Sequence, residues 1–256
     1  MSPKPELDKR DWIAGLEKGL RIIEAFNDAH PRLTASTAAR RTGITRSAAR
    51  RYLLTLQYLG YLESDGQHFW LAPRALRLGW SYFDSAKGPR AAQPHLQRIS
   101  MALGGDAFFA VLDEDDVVFV ARDGSSQVQN VGFVLGARLS ANLVAAGVAM
   151  LSCHTQADVD RWLSGRKFVA YTPYTATTES AVRENINNAR NRGYALLEQQ
   201  LSLSVRGIAV PIRKRSGEIV GAISVSLPMG SESSERAVAR ALPLLREAEY
   251  ALMSAF

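Results

Sequence analysis

Between Arg32 and Leu62 the chain carries Arg32, Arg40, Arg41, Arg46, Arg50 and Arg51 and no acidic side chain. Gly43 and Gly60 punctuate the same stretch, and glycine is the usual left-handed stop of a helix. The segment is thereby restricted to two short helices, one from about Thr34 to Thr42 and one capped by Thr45 that runs to about Leu59. A first helix precedes them, with Leu16, Leu20, Ile23 and Phe26 on one face and an end before Pro31. A short helix, a glycine turn and a second basic helix are the parts of a helix-turn-helix.

The charge is confined to this part. Residues 1–83 hold 13 basic and 8 acidic side chains, whereas residues 84–256 hold 18 and 17. An arginine cluster of this kind is the footprint expected for a polyanion, although a solvated helix face has the same composition. On a wheel at 100° per residue from Arg46, the apolar Ala49, Tyr52, Leu53, Leu56 and Leu59 fall between about 220° and 340°. Arg46, Ser47, Arg50 and Arg51 fall between about 0° and 140°, in the N-terminal half that would enter a major groove. Thr34 and Ser36 are natural phosphate donors at the start of the preceding helix.

Asp65-Gly66 lies between aromatic-rich flanks, which predicts a hairpin over residues 61–71. As a wing it would bring Gln67 or His68 near the DNA backbone. A fourth helix follows Pro73, with Leu76, Leu78 and Trp80 among its apolar residues. A polar break with Gly88 and Pro89 falls near residues 84–89. The domains expected are a flexible tail over 1–10, a winged helix-turn-helix over 11–72, a linker helix over 73–88 and a second domain over 89–256.

The second domain alternates strands and helices. Strands are expected at 108–112 and 117–121 around the acidic turn Asp113–Asp116, at Val131–Val134, at 205–212 and at 219–227. Helices are expected at 143–151 and 179–192, the latter closed by Gly193, with a last helix broken or kinked at Pro243. Hairpin-linked strands with helices packed on them make an antiparallel sheet, so the fold class is α+β.

Other classes are poorly supported. No apolar run approaches the roughly 18–20 residues of a membrane span, and residues 1–6 lack a secretory apolar core. Cys153 is the single cysteine, so no intramolecular disulfide or thiolate metal site can form. A cytoplasmic protein without cofactor or metal is expected. Cys153 beside His154 is the best candidate for an enzyme, but neighbours at a helix end point apart, and a Cys–His pair must meet in space. His30, His68 and His95 have no ligand spacing, and no phosphate-binding or dinucleotide motif is present. A sequence-independent architectural DNA binder would leave the large neutral second domain without a role.

The segments Gly15–Phe26, Pro31–Thr34, Gly43–Leu56, Leu59–Tyr61, Asp65-Gly66, Phe69–Leu71 and Pro73–Gly79 resemble the IclR family of bacterial transcriptional regulators. So do Gln199–Ile212 and Ala222–Ser226. The Ala48-Ala49-Arg50-Arg51 helix is most similar to the branch that regulates aromatic-acid breakdown through the β-ketoadipate pathway. The resemblance implies a winged helix-turn-helix, a linker helix and a GAF-like effector-binding domain. It also implies a homodimer or dimer of dimers on a pseudo-palindromic double-stranded DNA operator, with a small carboxylate or aromatic acid as effector.

The segments matching the family's pocket place effector contacts at Asn142, Ala145, Ala146, Glu198, Arg206, Gly207, Ser224 and Ser226. Small residues at Ala145, Ala146 and Gly147 would let a ligand approach a helix start. Ser224 and Ser226 share one strand face. Arg206 is a carboxylate clamp or a structural arginine, and Phe109 and Phe133 are ring walls or ordinary core. The chain departs from the family pattern at Ser140, Val144, Val148, Gln200 and Ser204-Val205, which makes the pocket less polar. An altered or more apolar ligand, or a lost response, therefore stays open.

Overall fold

The computed structural model describes residues 7, 8, 10–124 and 135–256; the strand expected at Val131–Val134, and Phe133 with it, lie outside them. The chain divides into two compact units, residues 2–84 and 85–256.

In the N-terminal unit, α1 (Ala14–Glu24), α2 (Ala35–Thr42) and α3 (Arg46–Tyr58) pack together, and β1 (Leu62–Ser64) pairs antiparallel with β2 (Phe69–Leu71). Thr34 and Thr45 cap α2 and α3 from extended backbone, and Gly43 ends α2 with φ +70°. Leu33 and Phe69 exchange two backbone hydrogen bonds of 2.9 and 2.8 Å, tying the lead-in of α2 to the hairpin. Ile22, Leu33, Ala38, Ala49, Leu53, Leu56, Leu62 and Phe69 form the core.

Two expected apolar faces are corrected. Leu16 and Leu20 do not bury; the inward side of α1 is Ile22 with Ala25 beyond its end, while Ile23 and Phe26 are half-buried. The three-helix core is small, and α1 reaches it only near its C-terminus. Leu59, expected inside, is likewise exposed. A 3-10 turn at Pro73–Ala75 leads into α4 (Leu76–Ser85), none of whose residues is buried.

The C-terminal unit is a six-stranded sheet in the order β5-β4-β3-β8-β7-β6, with every neighbouring pair antiparallel. Its strands are β3 (Asp106–Asp113), β4 (Asp116–Asp123), β5 (Arg138–Ser140), β6 (Ala195–Glu198), β7 (Val205–Arg213) and β8 (Ile219–Pro228). Alternation along β3 sends Phe108 and Ala110 into the core beneath α6 (Ala145–Leu151), α7 (Gln156–Leu163) and α8 (Glu179–Arg192). Phe109 turns the other way, toward Gly88 and the ring of Phe256. That face is covered by α5 (Lys87–Leu103) and α9 (Ser234–Met253).

The break expected at 84–89 coincides with the change of unit, but Lys87-Gly88-Pro89 is the first turn of α5, a helix that the sequence pattern does not announce. Pro89 fits because a first-turn N–H has no intrahelical acceptor. The last helix is not broken at Pro243: α9 runs through it.

Candidate DNA-binding surface and effector pocket

The surface of α2 and α3 separates the six arginines. Arg41 is structural: its Nε donates to Ala25 O at 2.9 Å, and Nη1 lies 3.1 Å from His30 Nδ1. Arg32 stacks over the Trp70 ring at 4.6 Å. Arg40, Arg46, Arg50 and Arg51 are exposed, and among the described residues their side chains engage no protein partner. Arg46, Ser47, Arg50 and Arg51 thus stand on the first two turns of α3, opposite the buried Ala49 and Leu53.

The hydroxyls at the two helix starts are already employed. Thr34 Oγ1 accepts from Thr37 N at 3.2 Å and Thr45 Oγ1 from Ala48 N at 3.3 Å, while Ser36 is exposed. At the hairpin tip, Asp65 Oδ1 accepts from the backbone N–H of His68 at 2.7 Å and of Gln67 at 3.0 Å. These bonds, that from His68 first, hold the Asp65 carboxyl below the usual range. His68 is half-exposed beside it.

In the C-terminal unit a cavity of about 460 Å³, its open mouth included, lies where the start of α6 meets β7 and β8. Ala145, Ala146, Gly207, Ser224 and Ser226 all line it. Val144, the residue before α6, has no capping side-chain bond. The N–H groups of Gly147 and Val148 bond Val144 O, which leaves those of Ala145 and Ala146 without an intrahelical acceptor at the cavity wall. Phe119, Leu143, Leu197, Leu201 and Val205 make up most of that wall, with Gln200 and Ser202 at one side.

Three expected contacts, Arg206, Glu198 and Asn142, stand elsewhere. Arg206 is 3% exposed and alternates away from the cavity. Its guanidinium pairs with Glu198 and donates to Glu232 O and Ser233 O, each at 3.3 Å, at the start of α9. Glu198 also accepts from Ser234 Oγ at 2.8 Å, so both charges serve to seat α9. Asn142 is buried and accepts from Ser140 Oγ at 2.7 Å. Phe109 belongs to the core on the far face. Gly147 serves packing, since a Cβ there would come 2.2 Å from Ala141 O.

The aromatic wall is Phe119, whose ring lies 4.9 Å from that of Phe108. The sequence contains the signal, because Phe119 sits in an alternating strand. Its face, however, depends on a bulge that shifts the β3–β4 register beside Phe109 and Ala110. Burial pushes the Cys153 thiol up, away from a nucleophilic thiolate. Among the described residues no cluster could hold a metal ion, and no helix is long and apolar enough to cross a membrane.

Comparison with known proteins fits this arrangement. Residues 15–66 match the IclR helix-turn-helix domain, and residues 81–252 match the family described as bacterial transcriptional regulator IclR C-terminal. The chain belongs to the IclR family of bacterial transcriptional regulators. It is 37% identical to the p-hydroxybenzoate hydroxylase transcriptional activator of Acinetobacter baylyi, over 94% of this chain and 91% of that protein. It is 34% identical to the Pca regulon regulatory protein of Pseudomonas putida, over 92% and 81%. Among solved IclR structures, one from Microbacterium hydrocarbonoxydans in complex with 4-hydroxybenzoate superposes with TM-score 0.76 at 26% identity, covering 94% of this chain and 98% of that one. As an IclR-type regulator the protein binds DNA and is not an enzyme.

Proposed function

We propose that this IclR regulator senses an aromatic acid of the 4-hydroxybenzoate kind and controls genes for its breakdown. The observation that carries the reading is the cavity at the uncapped start of α6, apolar on most sides and edged by Ser224 and Ser226. A ring suits the walls formed by Phe119, Leu143 and Leu197; hydroxyl and carboxylate groups suit the serines and the helix N–H groups. The relative bound to 4-hydroxybenzoate and the A. baylyi activator support the same chemistry.

In this reading Arg46, Ser47, Arg50 and Arg51 meet a major groove, and Thr34, Ser36, Thr45 and His68 meet the phosphate backbone. Residues 11–72 read DNA, 73–88 link and 89–256 sense, within a cytoplasmic homodimer or dimer of dimers on a pseudo-palindromic operator.

The test is anisotropy binding to a duplex enriched from random sequence by the wild-type protein, with and without 4-hydroxybenzoate. Arg46→Ala with Arg50→Ala is expected to cost at least about 1–3 kcal/mol in operator affinity. Ser224→Ala with Ser226→Ala is expected to keep that affinity and lose the response to the acid. Operator binding unchanged in the arginine pair removes α3 as the reading helix. No preference over random duplex would mean an architectural binder instead.

A further inference from the structure

One wall of the cavity is a loop. Gln200, Leu201 and Ser202 line it, and the residues flanking the loop, Gln199 and Ser204, are left-handed with φ of 55° and 59°. Such backbone is unfavourable for an L side chain and persists only where its surroundings hold it. Here Gln199 N–H donates to Val205 O at 2.8 Å, Ser204 N–H to Gln199 Oε1 at 3.2 Å, and Met229 N–H to Ser204 O at 2.7 Å.

The segment Tyr171–Ala176 grips the loop through side chains. Thr172 Oγ1 donates to Gln199 O, and Thr175 Oγ1 donates to Gln200 O at 2.6 Å. The Gln200 amide completes the tie: Oε1 accepts from Ala176 N–H and Nε2 donates to Tyr174 O, both at 2.8 Å. A longer bond of 3.4 Å runs from Nε2 to Glu198 O. This pattern requires a donor and an acceptor on one side chain. A carboxylate, which has acceptors only, cannot reproduce it.

We infer that Gln200 is a positioning residue that latches the loop 199–204 to the segment 171–176 over the cavity, and so sets how long an effector stays bound; this rests on the pocket reading above. Gln200 is both part of the cavity wall and the tie to the segment outside, so opening the loop requires breaking its bonds. The bonds are present without ligand, so both entry and escape are slowed by the need to open the loop.

The test uses full-length protein and 4-hydroxybenzoate as probe. Gln200→Glu keeps the size and removes the donor. Thr175→Val removes a tie without adding charge or touching the cavity, and Thr175→Ser retains the hydroxyl as control. Stopped-flow mixing and displacement are expected to show association and dissociation both faster, dissociation by about tenfold, in the first two variants, with Thr175→Ser like wild type. Hydrogen exchange of the 199–204 amides in ligand-free protein is expected to quicken in the same two variants, with β7 and β8 unchanged. Unaltered loop exchange overturns the latch whatever the ligand does. Faster exchange with unaltered dissociation overturns its role in retention. Wild-type protein that takes up no 4-hydroxybenzoate refutes the pocket reading, and the exchange data then decide the latch alone.

Discussion

At residue 147 an added methyl group would meet backbone: a Cβ would lie 2.2 Å from Ala141 O and 2.6 Å from its Cα. Gly147→Ala is therefore expected to destabilise the C-terminal unit by about 1–3 kcal/mol, read as a lower urea midpoint. A Cβ at Gly79 in α4 would have nothing within 4 Å, and φ there is not positive, so Gly79→Ala is expected to be neutral or mildly stabilising. Equal effects at the two sites would contradict the packing account. His154 gives a pH prediction. Burial lowers its pKa, so the neutral ring is favoured in the fold and the unfolded chain binds its proton more readily. The stability it contributes is present above the ordinary imidazole pKa, near 6.5, and is lost as pH falls through the lower folded value. His154→Gln is expected to flatten the fall of Tm between pH 7 and 5; an identical slope would exclude this origin. At this scale the Thr45 cap and the shared face of Ser224 and Ser226 were legible, because each follows from local hydrogen bonding or strand alternation. The commitments of Arg41 and Arg206 were not, since their partners Ala25 and Ser233 are distant in sequence.

Among the elements, α2 and α8 were readable from their glycine stops and α3 from its Thr45 cap, with Gly193 closing α8 at φ +72°. Helix α5 was hidden by Pro89 and Pro94, which read locally as breakers although the sheet holds that face of the helix in place. Helix α4 poses a different problem. It has ten residues, buries none, and exposes Leu76, Leu78, Trp80 and Tyr82, with Trp80 62% exposed. A helix that short is marginal in water without packing, so a covering surface is expected. Under the proposed homodimer that surface is a second copy. Leu76→Lys with Trp80→Lys is expected to move the mass measured by light scattering toward the protomer; an unchanged mass would mean that α4 does not sustain the assembly.

For the whole molecule the proposed regulation joins two sites on two units. Any factor by which 4-hydroxybenzoate changes operator affinity must equal the factor by which operator DNA changes 4-hydroxybenzoate affinity. Titration of the acid against free protein and against protein saturated with operator is expected to return matching ratios. Ratios that differ beyond error would mean that the measured species are not related by one closed binding cycle, for instance because DNA changes the oligomer. Salt enters as well: with four exposed arginines on α2 and α3 that engage no described protein partner, operator affinity is expected to fall steeply as salt rises, through release of counterions from the phosphates.

The order and type of most elements, the basic face of α3 and the α+β class were determined by the sequence itself, because caps, glycine stops and two- or 3.6-residue periods act over a few neighbouring positions. Only the tertiary structure decided which side of α1 is buried, which phenylalanine faces the cavity, that Arg206 seats a helix, and that Gln200 ties one loop to another. Each of those outcomes depends on groups far apart in the chain being brought within hydrogen-bond or van der Waals distance, and no local pattern carries that information.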